Sequence, residues 1–298
     1  LDRIIDSHMH LWDYDSGHYP WLLSKLPGGD KMIGNYDPIR KNYLVSDYAH
    51  SISGSAVKQC VHIQVFGYPE DSVLETQWLQ KQADAHGYPH AIVGLADFTA
   101  DNIDEVLTRH CSYQNVRGIR NVLSHHSDPD LCMITDPNIM QDERWLQGFS
   151  LMKKHNLSFD VQIFDHQLDD LVTLAHAHQD TNIIINHIAW PTDLSSSGFA
   201  NWKDRVKTAA NCSNVSIKIS GFGCVFKHIE LDEIMPYVVH CVDVFGVDRC
   251  IWGSNFPVAS LFTTYANLLQ TGASALSDLS AADQDKIFYA NAAKFYSI

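Results

Sequence analysis

Two histidines one residue apart, His8 and His10, stand near the start of a 298-residue chain, in Ile5-Asp6-Ser7-His8-Met9-His10. On a strand, residues i and i+2 point the same way. Both imidazoles therefore converge on one metal ion or one substrate oxygen, or else they form a hydrogen-bonded structural pair. Spacing alone is weak, because 17 histidines give about one His-x-His by chance. Indeed His176-x-His178 also occurs, but in a helical stretch where i and i+2 diverge, so it reads as surface. His187, after Ile183-Ile184-Ile185-Asn186, is the natural third imidazole, against the reading of a satisfied core histidine.

Other polar residues fall at strand ends. Arg120 reads as a planar clamp for a carboxylate or hydroxyl-rich substrate, or as half of an ion pair. Asp160 is a carboxylate at the mouth or part of a network holding Lys218. Lys218 is in turn a Schiff-base candidate or a substrate contact. His62 and Gln64 are weaker substrate-binding candidates, with lumen filler as the default. Asn255 ends the last strand. Unpaired polar groups in an apolar core cost about 1–3 kcal/mol each, so this many should have partners or a purpose.

These residues sit on a repeating pattern of short β-branched runs and amphipathic stretches. Strands are expected at 4–10, 57–65, 91–97, 116–120, 157–163, 182–187, 215–221 and 250–255. Several are apolar at nearly every position, as in parallel strands covered by helices. Ser72-x-x-Glu75 has capping-box spacing and opens a helix, Asp142 opens another, and a last helix is expected over 281–296. Eight such units without a linker predict one domain, 1–298, folded as a (β/α)₈ barrel. A doubly wound sheet would carry a Gly-rich turn after its first strand, absent here. The segment from Trp12 to Val45 is long for a βα loop and is expected to lie over the C-terminal mouth. Strand parity puts Asp6, His8 and His10, then His62 and Gln64, Asp160 and Gln162, and Lys218 and Ser220 on the lumen face.

The net charge is −14, from 21 basic and 35 acidic residues. That argues against nucleic acid and anionic membrane surfaces, which select a clustered positive field. A small-molecule substrate fits better, with a homo-oligomer as a further expectation. No apolar run reaches a membrane span, no signal-like segment opens the sequence, and the seven cysteines are scattered without a Cys-x-x-Cys. The expected location is cytoplasmic, with reduced thiols.

The ordered set Ile5–Asp13, Tyr19–Leu22, Glu75–Leu79, Val116–Arg120, Leu157–Asp160, Asn186-His187, Lys218–Gly221 and Cys250–Pro257 resembles the lactonase-like branch of the amidohydrolase superfamily, which contains sugar-lactone and pyrone-dicarboxylate lactonases. The resemblance spans residue 4 to about residue 258. It implies a distorted TIM barrel that hydrolyses a lactone. It also implies that His8 and His10 bind one divalent metal, such as zinc, or polarise the carbonyl directly, with His187 assisting. In such enzymes the eighth strand usually supplies an aspartate that activates water. Here that position is Asn255, which accepts no proton at neutral pH. The base is then a hydroxide on a metal held by His8, His10 and His187, or Asp160, or a histidine, with Asn255 orienting water or donating to the oxyanion. Two rivals stand beside the lactonase: a decarboxylase or hydratase on the same barrel, and a binding protein that has lost its base.

Overall fold

The computed structural model describes residues 1–25 and 28–298. Eight strands pair in chain order, all parallel: β1 Ile4–Met9, β2 Val57–Ile63, β3 Ala91–Gly94, β4 Val116–Val122, β5 Ser158–Gln162, β6 Ile183–Ile185, β7 Val215–Ile219 and β8 Cys250–Trp252. The ends meet where Met9 bridges Phe256 in parallel, with Asn255 N–H donating to His8 O and His10 N–H to Phe256 O, both at 2.7 Å. The expected (β/α)₈ barrel is the observed one. Most expected strands overran the observed ones at their C-terminal ends, because there the chain leaves the ladder to present side chains. His187 and Asn255 both lie just past their strands.

Two apolar layers hold the barrel. Outside it, Ile4, Ile92, Ile183, Ile185, Ile217 and Ile219 pack against the helices. A second cluster joins Ile5, Val61, Ile63, Ala91, Val93, Ile184 and Ile251 to Ala292 and Tyr296. Residues of β3, β6 and β8 are not neighbours in the sheet, so they meet only through the bore. The C-terminal helix thus plugs the barrel, following a π-helical turn Lys286–Ala290 within the stretch expected to be one helix.

This arrangement corrects the parity reading in two strands. In β2 the bore takes Val61 and Ile63, so His62 and Gln64 face the other way. Both faces of a barrel strand are buried, so polarity alone does not say which is the lumen. In β1 the register shifts between Asp6 and Met9. Ile5 enters the bore, while Asp6 accepts from Tyr48 and Tyr265 on surrounding helices, at 3.1 and 3.0 Å, and from Ser254 Oγ at 2.6 Å.

The capping box also fails. Ser72 makes no side-chain cap, and Asp71 accepts from Val73 N–H at 3.1 Å instead. Glu75 is buried and turns to the loop after β2, accepting from Val65 N–H. Burial raises its pKa to about 7, opposed by backbone hydrogen bonds from Val65 and Gly67. Asp142 does cap its helix, accepting from Trp145 N–H at 2.8 Å.

The segment after β1 carries short helical turns, Pro20–Leu23 and Gly29–Ile33, and is tied at its base by Trp12 and Tyr43, whose backbones pair at 3.0 Å. Leu26 and Pro27 within it lie outside the described residues. Among the described residues no helix is long and apolar enough to cross a membrane.

Candidate active site

A cavity of about 130 Å³ opens at the C-terminal end of the strands. His10, Arg120, Gln162, His187 and Asn255 line it, and Trp12, Trp21, Met32 and Tyr36 of the long first loop roof it. His8 lies directly behind that floor. Its ring centroid is 5.0 Å from His10 and 4.5 Å from His187. Imidazoles from strands far apart in sequence therefore meet at one place.

Their protonation follows from their partners. All three pKa values are lowered, chiefly by burial and then by the charges of Lys218 or Arg120, His10 to about 3. Each ring is neutral at pH 7, with one N–H and one lone pair. His10 Nδ1 lies 2.7 Å from Ile63 O, which only accepts, so Nδ1 carries the proton and Nε2 the lone pair. That Nε2 sits 3.1 Å from Asn255 Oδ1. Two lone pairs repel, so a half-turn of the amide puts an N–H on His10 and leaves the carbonyl oxygen for the Cys224 thiol. Asn255 is thus a donor to His10.

His8 is set from below. Lys218 Nζ donates to Asp160 Oδ1 at 2.5 Å, to Ser7 O at 2.9 Å and to His8 Nδ1 at 3.4 Å. These three acceptors match the three N–H bonds of an ammonium. Burial lowers the Lys218 pKa to about 8, against the pull of Asp160, so it is charged at pH 7. His8 therefore holds its proton on Nε2, a buried atom without a hydrogen-bond partner among the described residues. Asp160 is itself saturated, accepting also from Asn186 Nδ2 at 3.1 Å and from Tyr296 OH at 3.0 and 3.1 Å.

Several expectations change accordingly. Asp160 and Lys218 are fully buried, paired with each other and absent from the cavity wall. Asp160 cannot serve as the mouth base, nor Lys218 as a Schiff-base or substrate contact; they position His8. Gln64 also lies behind the wall, accepting from Phe66 N–H at 2.8 Å and donating to Arg120 O at 3.3 Å. His62 contacts Leu11 O through Nε2, not the cavity. Arg120 does reach the cavity, but its partners are Asn186 Oδ1, Gln64 O and Gln162 Oε1 rather than a carboxylate. Sequence reasoning missed Cys224, Trp190 and Tyr296. Trp190 follows His187 by three residues and could have been suspected, whereas no local pattern marks the other two.

His187 rests on unusual backbone. It and Ile188, Ala189 and Trp190 have φ of 55°, 51°, 57° and 27°. A left-handed turn costs roughly 1–2 kcal/mol per L-residue, and here it points two rings, His187 and Trp190, into one cavity. His187 Nδ1 lies 2.9 Å from Ser220 Oγ, and Gly221 (φ 75°) gives the ring its space, since a Cβ there would sit 2.5 Å from His187 Cγ. Gly221→Ala is expected to displace His187, lowering stability by about 2 kcal/mol and reducing turnover at least about tenfold. Thermal melts and steady-state kinetics check both effects.

The three imidazoles do not fit a divalent ion as arranged. The inward nitrogen of His8 is protonated, no carboxylate among the described residues lines the cavity floor, and Lys218 and Arg120 add positive charge. Among the described residues no three His, Cys, Asp or Glu side chains form a coordinating group. The three residues expected as a zinc set, His8, His10 and His187, meet here as neutral imidazoles.

Comparison with known proteins finds a family and several relatives for this chain. A family model described as "Amidohydrolase" matches residues 5–298. The protein y4mH of Sinorhizobium fredii is 36% identical over 295 residues, 99% of this chain and 98% of its own length. An L-fucono-1,5-lactonase of Burkholderia ambifaria is 28% identical over 258 residues, 86% of this chain and 81% of its own. An amidohydrolase structure from Burkholderia multivorans, with bound zinc, superposes with a TM-score of 0.83 at 23% identity, covering 99% of both chains.

Proposed function

The chain belongs to the amidohydrolase family, in its lactonase-like branch, and on that footing we propose that it opens a small lactone carrying an acidic or polar substituent. The observation that carries this reading is the meeting of His10 and His187 at the cavity floor with His8 directly behind them, its N–H without a partner among the described residues.

The tautomers divide the work. His8 Nε2–H donates to the lactone carbonyl oxygen as it enters between the other two rings, and strengthens that bond as negative charge develops. With its Nδ1–H donated to Ser220 Oγ, His187 Nε2 takes one proton from a water, while Asn255, donating to the His10 Nε2 lone pair, keeps that ring in place. The water oxygen bonds to the carbonyl carbon and the carbonyl electrons move to oxygen. When they return, the ring C–O bond breaks and the leaving oxygen recovers the proton from His187. The product is a hydroxy acid, which ionises at neutral pH and releases one proton per turnover. Arg120 anchors the acidic substituent. A metal would supply Lewis-acid polarisation in a relative built for it, but no step here uses one, because the donor set does not suit it.

The test is a lactone panel followed with a pH indicator. Proton release that is saturable in lactone and proportional to enzyme supports the reading. Carbon dioxide release from aromatic carboxylic acids, with every lactone left intact, overturns it.

A further inference from the structure

A second, larger hollow adjoins the cavity over the imidazoles. It is a groove of about 650 Å³ across the C-terminal ends of β3 and β4, and Phe66, Val122 and Met133 line both spaces. Phe66 holds φ 61°, a left-handed conformation that bulky residues rarely adopt, and its N–H is tied to Gln64 Oε1 at 2.8 Å. Consecutive residues of β4 divide between the two, with Arg120 on the wall of the first and Asn121 on that of the second. The space above the imidazoles is only about 130 Å³, whereas pockets for drug-sized ligands run to roughly 300–1,000 Å³. The groove extends the room open to a substrate that reacts at the imidazoles.

The groove is equipped for hydroxyl groups. Asn121 is 7% exposed, and its Nδ2 donates to Ala96 O at 3.0 Å and to Arg120 O at 3.1 Å. Both carbonyls only accept, so the amide nitrogen faces them and Oδ1 is left on the groove wall without a donor among the described residues. Asp97 takes both Thr99 donors, N–H at 2.8 Å and Oγ at 2.6 Å, on Oδ1 and keeps Oδ2 open. Arg109 donates to Asp71 through Nη2 and has further N–H groups to spare. Free acceptors and free donors in one groove match a group that both donates and accepts, which a hydroxyl does and an ammonium does not. Between them Phe98, Val106, Ile134 and Ile139 supply apolar surface for the C–H face of a ring.

We infer that the groove is a second subsite, which receives a hydroxyl-bearing ring joined to the lactone that is opened at His8, His10 and His187. The substrate is then a two-ring compound, a glycosylated aldonolactone, whose linkage passes beside Phe66 and Met133. This rests on the lactonase reading and extends it, because Asn121, Asp97 and Arg109 have no part in ring opening.

The experiment compares glucono-1,5-lactone with cellobiono-, lactobiono- and maltobiono-1,5-lactone, which add a second hexose at O4 of the same ring. Rates are corrected for spontaneous opening. At least one two-ring lactone is expected to lead the single ring by about 100-fold in kcat/KM, the worth of two hydrogen bonds that include a charged group. That lead is expected to shrink at least about tenfold in Asp97→Ala, at an exposed position, and in Ala100→Trp, which fills the groove. Equal or slower opening of all three two-ring lactones, or a lead unchanged in both variants, overturns the inference and leaves the lactonase reading standing. If none of the four is opened, calorimetry with gluconate and the three two-ring acids separates the two claims. Binding of a two-ring acid at least about tenfold tighter than gluconate, and lost in Ala100→Trp, keeps the subsite and discards the reaction. No such preference discards the subsite as well.

Discussion

Lowering the pH from 7.5 to about 5 is expected to unfold the protein cooperatively. His8, His10, His62, His110 and His187 are all buried, and burial lowers each pKa, to about 3 for His10 and His62 and about 4 for His110. In the unfolded chain they titrate near 6.5. Below that pH the unfolded state binds more protons, so stability present above 6.5 is lost as the pH falls toward the folded values. Each histidine removes about 2 kcal/mol by pH 5, which for five is comparable with a whole domain's stability. Glu75 acts in the opposite sense. Its folded pKa of about 7 lies above its unfolded value, so its contribution grows on acidification and offsets roughly one histidine. Chemical denaturation across this range should give a slope of about 4–5 kcal/mol per pH unit near pH 5.5. A flat profile between pH 7.5 and 5 would show that these rings are not neutral and buried as described.

His187→Asn is expected to lower kcat on any lactone the protein opens by about 10²–10⁴-fold. Asparagine is chosen because it tolerates the left-handed backbone at φ 55° better than most residues. The fold should therefore survive, with a melting temperature within a few degrees of wild type, so lost turnover reports the missing imidazole. Retention of more than a tenth of wild-type kcat would remove His187 from the proton-transfer role.

How far the sequence reveals this molecule depends on whether the determining interactions are local. The eight strands were legible because each is a short apolar run between helical stretches. His8, His10, His187 and Asn255 were legible because each stands at or just past the end of such a run. The lumen face of β2 was not, since Val61 and His62 are equally buried and only closure of the barrel decides which enters the bore. The β1 register shift, which sends Asp6 toward Tyr48 and Tyr265, is likewise set by pairing with β2 and β8. Glu75 had the spacing of a helix cap yet serves the loop after β2, because that buried loop offers unpaired N–H groups. Asp160 and Lys218 were recognisable as a possible network, but Tyr296, which completes it from the last helix, lies 136 residues from Asp160. The tautomer of His8 depends on that network, and so it could not be read from spacing.

The most direct trial of the imidazole array is lactone opening by metal-stripped protein. After dialysis against a strong chelator, with metal content verified by elemental analysis, proton release on the best lactone should proceed at the untreated rate, and added zinc should not raise it. Loss of turnover on stripping, restored by about one equivalent of zinc, would show that His8 does not hold its proton on Nε2 during catalysis and would contradict the account.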